Sequence, residues 1–405
     1  MTRFRGFALG VLVGFIAISV VGMVVSRNMA LDGTYTYLRL FNEALSLIRN
    51  SYVEEVDTDE LLEGAYKGLV SELDPFSEYL TPREYQEYMQ SLAEKPRPRR
   101  GADVGLELAK KNEVVIVVSV RRGSDAESKD VTAGDRLRRI GDRPVREMTL
   151  GEIEKALSPA AGTSVPVEFL RMEEPHKLEV DLVSTEPEPE PIALAVLDGG
   201  IGTLRIPGFG GDAVARIEEA LAKAEKDGVE RLLIDLRGNT SKETESAVEA
   251  AGLFVGEGVV ARLSGRDGQA AELRSRRGRA PYDGSIALLI DTSTADAAEL
   301  FAAALREGRD ATLMGERSFG VGAEQELIPL KNGAYLKLSV RKYTSQSGSA
   351  WHGEGLDPDI AIEVSRKDFT GSKRLEEQMR RAIEEVRTLG SSEEPAKAAM
   401  LRMAS

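Results

Sequence analysis

S-I-A-L-L-I-D-T-S-T-A-D-A-A-E-L-F-A-A-A-L-R-E-G-R-D-A-T-L-M-G-E-R-S-F-G-V-G-A-E-Q, residues Ser285 to Gln325, is the stretch on which the fold turns. Ser285 to Ile290 is a short apolar run suited to a strand buried on both faces. Ala295 to Leu305 then repeats apolar residues at helical spacing until Gly308 stops the helix, with Thr292, Ser293 or Thr294 expected as its cap. Ala311 to Met314 is a second strand, and a glycine-rich loop follows. Upstream, Ile201 to Ile206 and Arg231 to Leu236 are strands with a helix over Asp212 to Lys226 between them. Such alternation predicts an α/β crossover core with a mainly parallel sheet.

The chemistry-bearing residues sit in the same frame. Glu299, Gly308-Arg309, Gly315-Glu316, Phe319-Gly320, Gly322 and Gln325 fall at the spacing of S-A-S-A-S-E, a helix, G-R-A, a strand and G-E-x-T-F-G-K-G-x-x-x-Q. This segment resembles the carboxy-terminal processing peptidases, PDZ-containing serine peptidases of the tail-specific protease type with a ClpP/crotonase-like core. L-L-I-D-L-R-G-N-T-S-K resembles the family's D-L-R-x-N-x-G-G, with Asp235, Leu236, Arg237 and Asn239 kept. Tyr343 to Ile360 resembles the Y-x-T-P-S-G segment near the end of the core.

The resemblance implies that the nucleophilic serine corresponds to Asp296, the general-base lysine to Val321 and the paired glycines of the oxyanion loop to Ser241 and Lys242. A serine nucleophile needs a neighbouring base to take its proton, and valine accepts none. Serine and lysine do not give glycine's close backbone approach. Three functional elements thus depart from the pattern inside matching flanks, which implies a degenerate peptidase site with no intact dyad. If Lys242 lies beside Asp296, an ion pair stands where the dyad was. The rival expectation is a relocated dyad, with Lys242 as base and Ser241, Ser293 or Thr294 as nucleophile.

The rest of the chain bounds the setting. At 405 residues with a net charge of −14 it offers no basic field for nucleic acid, and it has no cysteine. His176 and His352 are the only histidines, without metal-ligand spacing, and neither a metal nor a cofactor is expected. Gly6 to Ser26 is uncharged and follows Arg3 and Arg5, which predicts an uncleaved single-pass signal anchor in the cytoplasmic membrane with the bulk of the chain periplasmic or extracytoplasmic. Two amphipathic helices follow, one with Tyr37, Leu38, Phe41, Leu45 and Ile48 on a face, the other carrying Leu61, Leu62, Ala65, Tyr66 and Leu69 and capped by Thr58. L-D-P-F-S-E-Y-L resembles the family's L-D-P-H-S-x-Y-L. Thr81, Pro82 and Glu84 form a helix start with a capping box. Lys95 to Arg100 is a basic linker.

Gly101 to Val183 resembles a PDZ domain, with Val104, Gly105, Leu106 and Glu107 at the carboxylate-binding turn and Gly134 to Val145 fitting its hairpin. Such a domain takes a peptide C-terminus as an added strand beside Leu106 to Leu108. Thr185 to Pro191 is an acidic polyproline-like linker. Arg374 to Val386 reads as an amphipathic helix and the remaining tail as disordered.

The expected architecture is multidomain α/β and α+β. It comprises a tip and transmembrane helix over 1–30, a helical segment over 31–95, a PDZ domain over 101–184, a peptidase-like core over 192–365, and a C-terminal helix and tail over 366–405. The expected function is a membrane-anchored, catalytically inactive homologue that binds protein or peptide C-termini, with an active peptidase relative or a second copy as further partners. The alternatives are an active serine endopeptidase with a non-standard dyad, and a structural envelope assembly protein.

Overall fold

The computed structural model describes residues 35–403, except 75, 94–102, 112–113, 149, 172–175, 187–189, 267, 269, 281 and 366–370. The apolar segment Gly6 to Ser26 lies outside the described residues. Among the described residues no helix is long and apolar enough to cross a membrane. The chain divides into two compact units, Met1–Tyr66 and Lys67–Ser405.

The first unit holds a helix over 35–51 (α1) and the start of Thr58–Ser71 (α2). Tyr37, Leu38, Phe41 and Ile48, expected to share an apolar face, are all exposed. Thr58 does not cap α2. Asp57 does, its Oδ1 accepting from the N–H of Asp59 at 2.7 Å, because a residue preceding the first turn reaches the unpaired amides there.

In the second unit, β1 (Glu78–Leu80) leads into α3 (Pro82–Ala93). Both arms of the expected capping box form, Glu84 N–H to Thr81 Oγ1 at 3.2 Å and Thr81 N–H to Glu84 Oε2 at 2.8 Å. Next come β2 (Leu106–Lys111), β3 (Val114–Val120), the short helix α4 (Asp125–Ser128), β4 (Arg136–Ile140), β5 (Arg143–Pro144), α5 (Leu150–Ala156), β6 (Ser164–Arg171) and β7 (His176–Val183). Their sheet has the order β2-β3-β4-β6-β7, with β5 on β4, and closes over its own core of Val115, Val117, Leu137, Ile153, Phe169 and Leu182.

The remaining strands are β8 (Ala193–Leu197), β9 (Ile201–Arg205), β10 (Arg231–Asp235), β11 (Gly258–Gly265), β12 (Ala270–Ser275), β13 (Ser285–Ile290), β14 (Thr312–Gly315), β15 (Ala323–Pro329), β16 (Tyr335–Thr344) and β17 (Ile360–Ala361). They alternate with helices α6 (Ala213–Lys226), α7 (Thr244–Val255) and α8 (Ala297–Gly308), and α9 (Gly371–Met403) closes the order. One sheet runs β17-β14-β13-β10-β9-β8, parallel except for β8, and a second, antiparallel one joins β1, β16, β11, β12 and β15. Near-continuous apolar strands such as L-L-I in β10 and I-A-L-L-I in β13 are what a sheet covered on both faces requires. Helices α6, α7 and α8 pack through Leu221, Leu253, Phe254 and Phe301 on one face. On the other face α9 places Ala382 and Val386 against Ile201, Leu233, Leu289 and Met314.

The expected disordered tail is a continuation of α9 to Met403. Glu393, Glu394, Ala396, Lys397, Ala398 and Ala399 are strong helix formers, and they flank Pro395, which withholds one backbone donor from the helix.

Candidate active site

Strands β10 and β13 are adjacent and parallel, so the loops after them, Leu236–Glu243 and Asp291–Asp296, leave the sheet side by side. They are laced together by backbone bonds from Ala295 N–H to the Asn239 carbonyl and from Ala297 N–H to the Ser241 carbonyl, both 3.0 Å. This brings together the positions that the sequence singled out, Ser241 and Lys242 on one loop and Asp296 on the other.

The helix begins two residues later than its periodicity suggested, at Ala297, with Asp296 as the residue before it. Thr294 cannot cap it. Its buried hydroxyl accepts from Asp291 N–H at 3.0 Å and donates to the Leu236 carbonyl at 3.2 Å, closing the strand-to-helix turn. Asp296 therefore takes the sharp bend, at φ 57 and ψ −121. A non-glycine residue there stores on the order of 1–3 kcal/mol of strain, which surrounding contacts must hold. Its N–H donates to Glu299 Oε2 at 3.1 Å.

Glu299 is fully buried and organises the loop that carries Val321. Its Oε1 accepts from Ser318 Oγ at 2.5 Å and from Gly320 N–H at 2.7 Å, while Phe319 N–H reaches the Thr294 carbonyl at 2.9 Å. The glycines of F-G-V-G have a steric cause. A side chain at Gly320 would meet the backbone of Glu354 and Gly355, and one at Gly322 would meet Trp351 and His352. Val321 stands half-buried between them and offers no proton acceptor. Gln325 points away to the L-D-P-F-S element, its amide donating to the Phe76 carbonyl at 2.8 Å.

Burial pushes Asp296 up to about 7; the charge of Lys242 pulls against this while Glu107 and Glu243 add to it. Burial likewise pushes Glu299 up to about 7, against the hydrogen bonds from Ser318, Gly320 and Asp296. The Lys242–Asp296 ion pair is thus realised only as a charge interaction at a distance; among the described residues no contact ion pair joins them. The hydroxyl of Ser241 accepts from Phe209 N–H at 2.9 Å and donates to Glu243 at 2.5 Å. Both of its directions are engaged, and neither partner is Lys242. Among the described residues no hydroxyl of this set is hydrogen-bonded to the Lys242 amine.

Sequence reasoning missed the reach of Glu107. Its carboxylate accepts from Thr240 Oγ1, so β2 is fastened to the loop beside Asp296. Arg122, just past β3, adds a second tie at 2.9 Å to Asp235, which Arg237 also holds at 2.9 Å. Burial alone would raise the Asp235 pKa, but Arg237, Arg122 and Arg205 hold it well below the carboxylate range. Tyr343, whose N–H binds the Gly322 carbonyl at 2.9 Å, sits close enough for the Asp296 charge to help raise its own pKa, after the larger effect of burial. None of these carries a signature at fixed spacing.

Residues 200–362 match the model of peptidase family S41, and residues 22–83 match that of the activating protease CtpB N-terminal domain. The chain is 27% identical over 372 residues to a probable CtpA-like serine protease of Staphylococcus aureus (strain COL), covering 88% of this chain and 73% of that relative. The core of this chain is thus similar to peptidase family S41. The chain is also 26% identical over 343 residues to the carboxy-terminal processing protease CtpA of Bacillus subtilis (strain 168), covering 84% of this chain and 72% of that one. Among solved structures, the photosystem II D1 C-terminal processing protease shares the fold at a TM-score of 0.64 and 22% identity, over 80% of this chain and 92% of that one. The resemblance expected from Ser285 to Gln325 therefore holds, and the mixed α/β fold matches that of a solved carboxy-terminal processing protease.

Proposed function

We propose that this S41 homologue is catalytically silent and binds extended segments of other proteins, tethered to the outer side of a membrane by Gly6 to Ser26. The observation that carries this reading is Asp296. The turn that would present a nucleophile keeps its strained backbone, yet its side chain is a carboxyl pushed up to about 7, with Val321 at the base position. Of the candidate nucleophiles, the hydroxyls of Ser241 and Thr294 are engaged in structural hydrogen bonds. Binding is supported by the 103–185 region, which we read as a PDZ domain from its strand order, its Gly105 turn and the α5 helix, whose Ile153 shares a core with Leu106 of β2.

The test is incubation of the full chain with unfolded casein and short peptides, following cleavage and binding together. No cleavage is expected, and Ser241→Ala, Lys242→Ala and Ser293→Ala should change nothing. Cleavage that disappears in any of these variants would establish an active enzyme with a relocated site.

A further inference from the structure

The turn from Asp103 to Leu106 is built to hold a carboxylate, and in this chain it already holds one. Gly105, at φ +84 and with no room for a side chain against Ser124, directs its N–H to Asp103 Oδ1 at 2.7 Å. The same oxygen carries the Arg121 guanidinium at 2.5 Å. The neighbouring Val104 N–H is taken by the Leu157 carbonyl at 3.1 Å. Asp103 is only 3% exposed, and its backbone is pinned to Thr185 in both directions, at 3.0 and 2.9 Å. This carboxylate is a fixed part of the turn.

A peptide C-terminus is captured by turn amides, with a cation able to assist. Both kinds of donor are present here and both face Asp103. An incoming terminal carboxylate would find Gly105 N–H and Val104 N–H engaged and Arg121 neutralised, and would meet a like charge. The edge of β2 is different. Among the described residues it is the terminal strand of its sheet and pairs with β3 alone, so its outer main-chain groups remain suited to an added strand. We propose that Asp103 occupies the position of a ligand's terminal carboxylate, so that this domain selects internal extended segments of protein chains and does not read free C-termini. The proposal rests on the PDZ reading above and replaces the expectation that protein C-termini are the ligand.

Two pools of short peptides with the same sequences, ending in Ala, Val or Leu, one as free acids and one as C-terminal amides, would be titrated against the full chain. The wild type should bind the two pools within about twofold of each other, and Asp103→Ala should favour the free acids by about tenfold through the released Gly105 N–H and Arg121. Arg121→Gln in the Asp103→Ala background should remove that preference. Asp103→Asn, which keeps the Oδ1 acceptor for Gly105 and Arg121 but removes the charge that neutralises Arg121, covers the case in which the alanine variant does not fold, and it should show a smaller preference of the same sign. Preference for free acids in the wild type would overturn this inference and leave the PDZ reading standing. Failure of every form to bind any peptide would overturn both. Folded Asp103 variants that bind peptide without discriminating would overturn the carboxylate mimicry alone.

Discussion

Asp296 combines an unfavourable backbone conformation with an unfavourable environment for its charge, and the two separate experimentally. Its ordinary pKa is about 3.9, whereas burial lifts it to about 7 in the fold. Below about pH 4 the carboxyl is neutral in both states and costs nothing; as pH rises through 7 the folded state must ionise it. Stability is therefore lost across that window, by on the order of a few kcal/mol at most, reduced by the residual solvent access of this side chain. Asp296→Asn removes the charge and keeps the shape. The variant should match the wild type in Tm near pH 4 and exceed it by roughly 5 °C at pH 8. Equal melting curves at both pH values would show that Asp296 is solvated. The position was legible in the sequence because Glu299 and Phe319-Gly320 fixed the frame. Its strain was not, since a positive φ at Asp296 follows from the Ala295 and Ala297 amides being drawn to the neighbouring loop.

At the scale of elements, the short helix starts were readable wherever the partners are local. Thr81 and Glu84 form both of their expected bonds because capping joins residues three apart. The caps expected at Thr58 and at Thr292, Ser293 or Thr294 were misassigned for the converse reason. Each start had several polar candidates within one turn, and the outcome depended on which side chain reached the unpaired first-turn amides and which was drawn to another partner. The ties between the 103–185 sheet and the parallel-sheet core were not readable at all, because Arg122 and Asp235 lie 113 positions apart. Asp235 retains Arg237 and Arg205 when Arg122 is removed, so no uncompensated buried charge is left. Arg122→Ala should thus cost only about 1–2 kcal/mol in global stability. It should still raise the rate of proteolytic cutting within 185–191 by roughly fivefold or more, since local opening controls cleavage there. Cutting at the wild-type rate would mean that the Glu107–Thr240 hydrogen bond holds the sheet without Arg122.

Across the whole molecule, the alternation of strands and helices made the crossover core readable, since β10 and β13 announce themselves as apolar runs and the helical stretches fall between the strands. What covers the second face of that sheet was only half visible. The amphipathic stretch Leu375, Met379, Ala382 and Ile383 was evident, but its seat on Ile201, Leu233, Leu289 and Met314 was not. The helix is also bolted by charge. Arg237 donates to the Leu375 carbonyl at 2.8 Å and to Gln378 Oε1 at 3.0 Å, and Arg374 pairs with Glu316. Arg237 is 2% exposed, so removing those acceptors leaves a buried guanidinium with unmet donors, while the apolar face of the sheet opens to water. A chain stopped at Val364 should consequently fail to yield soluble protein. One stopped at Thr388 keeps Ala382, Val386 and both acceptors of Arg237, and should melt within about 3 °C of the full chain. Soluble, cooperatively melting protein from the shorter chain would show that α9 is an accessory, and that the parallel sheet is closed by the contacts on its other face.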